Sequence, residues 1–425
     1  MKKKVFLTIL LVLFFVSRFY VLSNPPYKGC DPNDPKKCWG YSDVKHDYER
    51  YVNMWRYGTG PYFKHLFEYP PAAIPIMYLP LEVDQSGLGY YYLNYRVQIM
   101  IFETVLFVLM LMVVARYATS WRARWLAMLF YISVGVVAKN YWYEGLDLIF
   151  IGTYTLGLLA LLKKRKQLKK YFFWLLFWVS TSIKFMTGPL LVPLYLLWEK
   201  KLIKNWWQKA MPVIITFGLV WGVPALIFRS SLTVPFVFHW GRRLKYGSLG
   251  TFIVNVINDF TGTEKLLAHP PDFAMAGPVS DIVLKLFGIL FWLAIVSVLV
   301  YAAILIKKYK GKRDNWWRFV TALKISLVYV LTMFLTGKTF SSPFHIWYVP
   351  LITLFPFRSL KKQMLFVVLA MYILILDTTS WVNVTDEAVW GPIKGIRFRD
   401  LTRFLPMMII LSESIKLEAV KKRLS

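Results

Sequence analysis

The chain is poor in the residues that build metal centres, since its 425 residues include only two cysteines and five histidines. A tetrahedral zinc site needs four ligands, and no histidine is spaced to complete one with the cysteines. The glycine patterns of P-loops and dinucleotide-binding folds are missing, and so is the HExxH metalloprotease motif. These absences argue against the common soluble nucleotide-binding, dinucleotide-binding and zinc-hydrolase enzyme classes.

Acidic residues are also scarce, with 23 against 52 Lys and Arg and a net charge of +29. Apolar residues are abundant, because 57% of the chain is hydrophobic, 18% is aromatic and the mean hydropathy is +0.46. The apolar residues form continuous runs close to the roughly 20 residues that a membrane-crossing helix needs. Lipid-exposed backbone is satisfied only in helices or closed barrels, and continuous runs favour helices. The sequence therefore predicts an all-α polytopic membrane protein.

We expect about 12 membrane helices, with a range of about 10 to 13, from runs of this length. The candidate spans are 5–22, 97–115, 123–138, 146–162, 171–183, 187–198, 210–228, 280–306, 319–336, 344–357, 363–378 and 401–413. The first span follows a basic start, MKKK, but lacks a small-residue cleavage site, so we expect a retained helix rather than a signal peptide.

The charges between spans predict the orientation. Alternate connections, counted from the N-terminus, hold 29 Lys and Arg with 4 acidic residues, whereas the other connections hold 18 basic and 15 acidic residues. Basic loops stay cytoplasmic, so we place the N-terminus in the cytoplasm. Orientation and anionic lipid account for the basic excess, and we expect no nucleic-acid partner.

We treat residues 1–425 as one integral membrane domain with long extracytoplasmic loops at 23–95, 229–279 and 379–399. Cys30 and Cys38 both lie in the first loop, where they either form a disulfide or remain two thiols. The proline-rich tail of that loop, EYPPAAIPIMYLPLE, is expected to lie at the interface or to re-enter the membrane, because proline disfavours helix.

Two further segments have a distinctive pattern. Tyr48, Tyr51 and Trp55 recur at helical spacing, which predicts an amphipathic helix in the headgroup layer or, alternatively, a loop helix packed on the bundle. The spans 171–183 and 187–198 are both short, and their junction at Lys184 predicts irregular backbone that is buried or lines a cavity.

Ionisable residues gather at the predicted external ends of helices, where charges are costly and suggest function. A phosphate-linked lipid sugar would need a carboxylate to accept the proton of an attacking hydroxyl and cations to stabilise the departing phosphate. The acids are Asp43, Asp47, Glu68, Glu144 and Asp147, and the bases are Lys184, Arg242, Arg243, Lys245, Lys338 and His345.

Four segments in order resemble those of a known enzyme family. They are SDVKHDYERY with its downstream EYPP, NYWYEGLDLIF, TSIKFMTGPLLVPLYLL and GKTFSSPFHIWYVPLI. The chain is similar over residues 40–357 to polytopic glycosyltransferases with the GT-C fold, in particular to the mannosyltransferase-like GT87 family. The resemblance implies an inverting enzyme that transfers a sugar from a polyprenyl-phosphate donor to a lipid or glycan acceptor.

The resemblance also implies residue roles. The SDV motif makes Asp43 the general base, with Asp47 as the second choice. Glu68 and Tyr69 would shape the loop or contact sugar. Lys184 and His345 would contact the donor phosphate or the acceptor, although a histidine satisfied by neighbouring backbone is the alternative for His345.

Chemistry alone suggests a second group of roles. Arg242 and Arg243 would clamp a phosphate or anchor lipid headgroups, and Lys338 would join them. Arg18 is expected to reach toward the interface, with a position facing the site as the alternative. Asp147 either interacts favourably with the dipole at the start of a helix or takes part in catalysis.

No divalent metal is required, although Asp43 and Asp47 could share one with a third ligand. A transporter or flippase for a lipid-linked or anionic solute is the alternative function, and a structural scaffold is the third. Transporters usually bind substrate near the midplane on broken helices, whereas the acids here cluster in one long loop.

Overall fold

The structure is a computed structural model. It describes residues 3–28, 30–31, 34–38, 42–63, 65–83, 90–162, 167–198, 206–245, 247–269, 272–308, 314–386 and 394–418. Within these ranges, the side chains at 3–4, 30–38, 167, 259, 265–273 and 379–401 lie outside the description.

Helices dominate the described chain. In order they are α1 (Lys3–Ser23), α2 (Glu49–Arg56), α3 (Ala73–Val83), α4 (Tyr91–Tyr117), α5 (Trp121–Val137), α6 (Asp147–Ala160), α7 (Gln167–Ile183), α8 (Leu191–Trp198), α9 (Trp206–Phe217), α10 (Val223–Phe228), α11 (Val234–Gly241), α12 (Leu249–Thr261), α13 (Pro278–Lys308), α14 (Asn315–Thr336), α15 (Val349–Leu354), α16 (Leu360–Asp386) and α17 (Lys394–Lys416). The predicted all-α architecture is confirmed, and each of the twelve candidate spans overlaps a helical segment.

Five helices of the described ranges are long and apolar enough to cross a membrane. They are Val5–Ser23, Tyr91–Tyr117, Trp206–Gly241, Pro278–Lys308 and Asn315–Thr336. Four shorter apolar helices are Ala73–Val83, Asp147–Ala160, Phe185–Trp198 and Leu249–Asn258. The number of crossings and their direction remain predictions.

Helical structure extends into the predicted loops. Helix α3 forms despite its internal Pro80, and its 11 residues span only about 16 Å at the helical rise of about 1.5 Å per residue. This is too short for a bilayer core of roughly 30 Å. Helical structure also continues to Gly241 and to Asp386, into the second and third predicted loops.

Two short β-hairpins interrupt the helices. In the first, Cys30–Asp31 (β1) pairs with Asp34–Cys38 (β2), and Cys30 lies opposite Cys38. In the second, Lys265–His269 (β3) pairs with Asp272–Ala276 (β4). The cysteine side chains lie outside the described part, so the disulfide stays a prediction.

The chain forms two compact units. The first comprises Met1–Tyr117, Met128–Trp240 and Asp314–Phe319, and the second comprises Ala118–Ala127, Gly241–Arg313 and Val320–Ser425. In the first unit, α6 is buried along almost its whole length and packs against α4 and α7. This explains why its sequence is apolar on every side.

The predicted break at Lys184 is present in the first unit. Helix α7 ends at Ile183, Lys184 is extended, and a 3₁₀ turn over Phe185–Leu190 leads into α8. The backbone N–H of Ala72, just after EYPP, donates to the Ser182 carbonyl at 2.9 Å. The first loop is therefore anchored to the end of α7 beside this break.

In the second unit, α12 packs against α13 and α17, and α16 packs against α17. A small apolar core joins α12, α13 and the β4 strand through Leu244, Val254, Met275, Val283 and Phe287. This core holds the turn that follows α11, where the predicted basic residues lie.

Candidate active site

Asp43 lies at the start of the helical part of the first loop. A π-helical turn covers Val44–Tyr48 and continues directly into α2. Val44, Tyr48 and Val52 are buried at this helical spacing, with at most 1% of each exposed. Asp43 itself is half-buried.

The aromatic face of this helix packs inside the protein. The Tyr48 ring contacts the rings of Tyr69 and of Tyr95 on α4, and Tyr51 contacts the rings of His65 and Phe67. These contacts agree with the alternative, a loop helix packed on the bundle, and a position in the headgroup layer stays a prediction. Spacing alone cannot distinguish lipid from protein as the partner of an aromatic stripe.

Glu144 is the hub of a buried polar network beside Asp43. The Ser42 hydroxyl donates to Glu144 Oε2, and the Tyr92 hydroxyl donates to Oε1 at 2.9 Å. Arg96 Nε lies 3.1 Å from Oε1 without the alignment of a hydrogen bond, so this contact is an ion pair. Burial raises the pKa of Glu144, while Arg96 and the two hydroxyl donors oppose the rise.

Three polar side chains meet at Gly145. A Cβ atom at this position would lie 3.2 Å from Asp147 Oδ2, 3.7 Å from the Tyr48 hydroxyl and 3.9 Å from Asp43 Oδ2. Burial raises the pKa of Tyr48, and Tyr69, Tyr95 and Asp43 add to the rise. Tyr48 thus stays protonated beside the Asp43 carboxylate, where its hydroxyl is a polar neighbour that carries no charge.

Lys184 pairs with Asp147 across the first unit. The Lys184 ammonium donates to Asp147 Oδ1 at 2.6 Å, and both side chains are mostly buried. Asp147 is the first residue of α6, as the sequence predicted. Lys184, the predicted ligand of the donor phosphate, therefore contacts Asp147. The carboxylates of Asp147 and Asp43 both lie within 4 Å of the position that a Cβ atom would take at Gly145.

The EYPP segment is bound through its backbone and through the Tyr69 side chain. The Tyr62 hydroxyl donates to the Tyr69 carbonyl at 2.6 Å, and Nε2 of His239 lies 3.1 Å from the Glu68 carbonyl oxygen. Tyr62 has a φ of +65°, in the left-handed region that non-glycine residues seldom occupy. The Tyr48 hydroxyl donates to the Tyr69 hydroxyl at 3.4 Å. These contacts agree with a loop-shaping role for Glu68 and Tyr69, and a contact of either residue with sugar stays a prediction.

Asp47 has different surroundings from Asp43. It lies one turn later and pairs with Arg50 at 3.2 Å, in a contact whose arginine is largely exposed. Among the side chains that the structure describes, no three His, Cys, Asp or Glu residues are grouped to hold a metal ion.

The second unit holds the remaining predicted cations. Lys245 donates its backbone N–H to the Lys338 carbonyl at 2.9 Å, so the two basic segments are neighbours. Burial lowers the pKa of Lys338, and the positive charge of Arg242 lowers it further. Arg243 is exposed, 3.8 Å from Asp281. Arg242 and Lys338 therefore form a concentrated positive charge next to Lys245.

His345 is fully buried in the second unit. Its Nε2 lies 2.5 Å from Asp377 Oδ2 on α16, and its Nδ1 lies 3.0 Å from the Tyr348 hydroxyl. Arg403 on α17 donates to Asp377 Oδ1 at 2.9 Å and to the Gly247 carbonyl at 2.6 Å. This network ties α16 and α17 to the turn that carries the basic residues.

Asp377 and Arg403 are not among the residues predicted from the sequence. Each is a charged residue inside an otherwise apolar predicted span or at its edge. Such charges usually have partners in the protein interior, so their position in the sequence was the signal that indicated them.

Arg18 lies in the interior rather than at the interface. Its guanidinium pairs with Glu103 at 2.7 Å and lies against the rings of Phe14, Tyr131 and Trp142. The expectation that Arg18 snorkels is wrong, because Glu103 offers it a buried counter-charge.

No protein-family model matches the chain, and no curated protein matches it. Among solved structures, the chain is similar to the crystal structure of ArnT from Cupriavidus metallidurans bound to undecaprenyl phosphate. The TM-score is 0.48 at 13% sequence identity, and the match covers 97% of this chain and 77% of the ArnT chain.

Proposed function

We propose that this chain is a GT-C membrane glycosyltransferase, related to the GT87 mannosyltransferase-like enzymes. It transfers a sugar from a polyprenyl-monophosphate donor to a lipid or glycan acceptor on the extracytoplasmic side. The observation that carries the proposal is the position of Asp43, a half-buried carboxylate at the first turn of a loop helix, beside Gly145 and a buried polar network.

Asp43 acts as the general base in this reaction. Its carboxylate accepts the proton of the acceptor hydroxyl while the acceptor oxygen bonds to the anomeric carbon of the donor. The bond between that carbon and the phosphate oxygen breaks on the opposite face, and its electron pair leaves with the polyprenyl phosphate. One displacement at one carbon inverts its configuration.

Cations offset the charge that develops on the leaving phosphate. Lys184 binds the donor phosphate, sharing or exchanging its present contact with Asp147. Within the second unit, Arg242, Arg243 and Lys338 are proposed to bind a phosphate or to anchor lipid headgroups, because guanidinium forms paired hydrogen bonds with phosphate oxygens. A monophosphate carries less charge than a diphosphate, so these side chains suffice without a metal ion.

The test uses purified protein in liposomes with undecaprenyl-phosphate sugars, a mannosyl donor first, and detects the product by mass. We expect Asp43→Asn to lower kcat by about 10²- to 10⁴-fold, the usual contribution of a general base. The amide keeps the size of the side chain but cannot accept the proton, so donor binding should persist.

Asp47→Asn is the discriminating variant. Asp47 pairs with a largely exposed arginine, and such pairs contribute about 0 to 1 kcal/mol, so we expect nearly full activity and stability. Loss of activity in Asp47→Asn with retention in Asp43→Asn would make Asp47 the base. Solute uptake by the liposomes, with no product from any donor, would favour a transporter instead.

A further inference from the structure

Glu144 receives contacts from two distant parts of the first unit. Ser42 reaches it from the first loop, while Tyr92 and Arg96 reach it from α4. Only 4% of Glu144 is exposed. A carboxylate this deeply buried is stable only when donors and a counter-charge surround it, and here both are present.

Ser42 transmits this contact to the start of the loop helix. Its hydroxyl oxygen accepts the N–H of Lys45 at 3.2 Å while its proton is donated to Glu144. Its carbonyl accepts the N–H of His46 at 3.0 Å. Ser42 is 1% exposed, and the next residue is Asp43. The bond between Glu144 and Ser42 therefore holds the backbone from which the Asp43 side chain projects.

The residue after Glu144 approaches the same site from the other side. Gly145 lies against the Asp43 and Asp147 carboxylates, as its calculated Cβ position shows. Glu144 thus fixes Ser42, the residue before Asp43, and the backbone of the next residue, Gly145, faces the Asp43 carboxylate. A base whose backbone is fixed in this way loses little freedom when substrate arrives.

We propose that Glu144 is the positioning residue of Asp43, acting through Ser42 to hold the base in its reactive place. This inference rests on the proposed function, in which Asp43 accepts the acceptor proton. Glu144 itself neither touches substrate nor exchanges the proton in this scheme. Its carboxylate fixes the Ser42 hydroxyl, and its contact with Arg96 fixes the carboxylate.

The chain supplies a matched control in Glu103. Glu103 lies on α4 and, like Glu144, is a buried glutamate that pairs with an arginine, here Arg18. The Tyr143 hydroxyl donates to it at 2.6 Å. The described contacts of Glu103 lead to α1 and to Tyr143 rather than to Ser42. Glutamine has a single acceptor oxygen, which at 144 must serve the hydroxyls of both Ser42 and Tyr92 but at 103 serves, among the hydroxyls of the described residues, that of Tyr143 alone. Both replacements remove a buried charge, so a comparison of Glu144→Gln with Glu103→Gln isolates the weakened hold on Ser42.

We expect Glu144→Gln to lower kcat by about 10- to 100-fold, the scale of a misplaced catalytic group, with donor and acceptor KM within about twofold of wild type. Glu103→Gln should keep the wild-type kcat in the protein that remains folded. Similar losses of kcat in both variants, or a Glu144→Gln enzyme with normal kcat, would overturn the proposal.

Two combinations test the route through Ser42. Ser42→Ala should reproduce the kcat loss of Glu144→Gln. Ser42→Thr keeps the hydroxyl and should have a higher kcat than Ser42→Ala, close to that of wild type. Adding Glu144→Gln to Asp43→Asn should cause no further loss, because residues that act as one unit are not additive. A multiplicative loss in the double variant would mean that Glu144 acts independently of Asp43.

Hydrogen exchange gives a readout that needs no turnover. In full-length protein in detergent, we expect the amides of residues 42–48 to exchange faster in Glu144→Gln than in wild type or Glu103→Gln. Unchanged exchange would overturn the inference even in an active glycosyltransferase. If wild type transfers no sugar, the proposed function fails, and faster exchange would still show that Glu144 holds this segment.

Discussion

Gly145 lies where the side chains of Asp43, Tyr48 and Asp147 approach the same piece of backbone. Its φ is not positive, so an alanine there meets no backbone strain and only contacts with its neighbours. The added methyl would lie 3.2 Å from Asp147 Oδ2, which is closer than ordinary van der Waals contact. Asp147, or the backbone of the segment, would have to shift by a few tenths of an ångström.

We predict that Gly145→Ala lowers kcat about 10-fold while the protein keeps its fold, because small displacements of a reactive group are costly. Gly222→Ala is the matched control, since a Cβ there meets nothing within 4 Å. Sugar-transfer kinetics and thermal unfolding of both variants make the comparison. Equal kcat values would show that the carboxylates tolerate a side chain at Gly145.

At the residue scale the sequence predicts which acids take part, but it does not predict how they are arranged. Asp43 follows from its motif, yet the role of Glu144 depends on Ser42 and Tyr92, which lie 102 and 52 residues away in the chain. No local pattern encodes such a pairing. His345 matched a motif position, but its partner Asp377 lies 32 residues further on.

The helical elements were more predictable, because continuous apolar runs demand helix in a membrane. The break at Lys184 followed from two short spans with glycine and proline between them. Helix α3 was harder to predict, since Pro75 and Pro80 lie within it. The destination of Arg18 depended on Glu103 of another helix, and a single sequence offers no means of pairing them.

Asp377 links three elements of the second unit, so its replacement should affect more than one residue. Asp377→Asn removes the counter-charge of Arg403, which also bonds the Gly247 carbonyl in the turn after α11. Breaking a buried pair on one side typically costs about 3 to 5 kcal/mol. We predict a lower unfolding temperature and a raised donor KM, because the turn carrying Arg242 and Lys245 loses an anchor.

An exposed pair in the same unit is the control for this prediction. Arg358 and Glu418 lie 2.7 Å apart, but both side chains are at least 70% exposed. Glu418→Gln should leave the unfolding temperature and donor KM unchanged, because exposed pairs contribute little. If Asp377→Asn behaved like Glu418→Gln, the network would have no anchoring role.

For the whole molecule, the arrangement of basic residues predicts which end of the bundle faces the cytoplasm. Alternate connections with 29 basic and 4 acidic residues differ sharply from the others, with 18 and 15. Lys and Arg near helix ends stay cytoplasmic during insertion, whereas acids have little influence. We therefore predict that the segment with Asp43 lies outside, on the side of the outer leaflet in which the proposed lipid-linked donor would sit.

Cysteine labelling tests that orientation. The background variant has Cys30 and Cys38 replaced by serine, and its sugar transfer is measured first. Tyr57 is 85% exposed in the segment that carries Asp43, and Leu168 is 80% exposed in the basic KKRKQLKK connection. We predict that a membrane-impermeant maleimide labels Tyr57→Cys in intact cells and labels Leu168→Cys only after permeabilisation. The reverse pattern would put Asp43 in the cytoplasm, and a donor facing the cytoplasm would then be required.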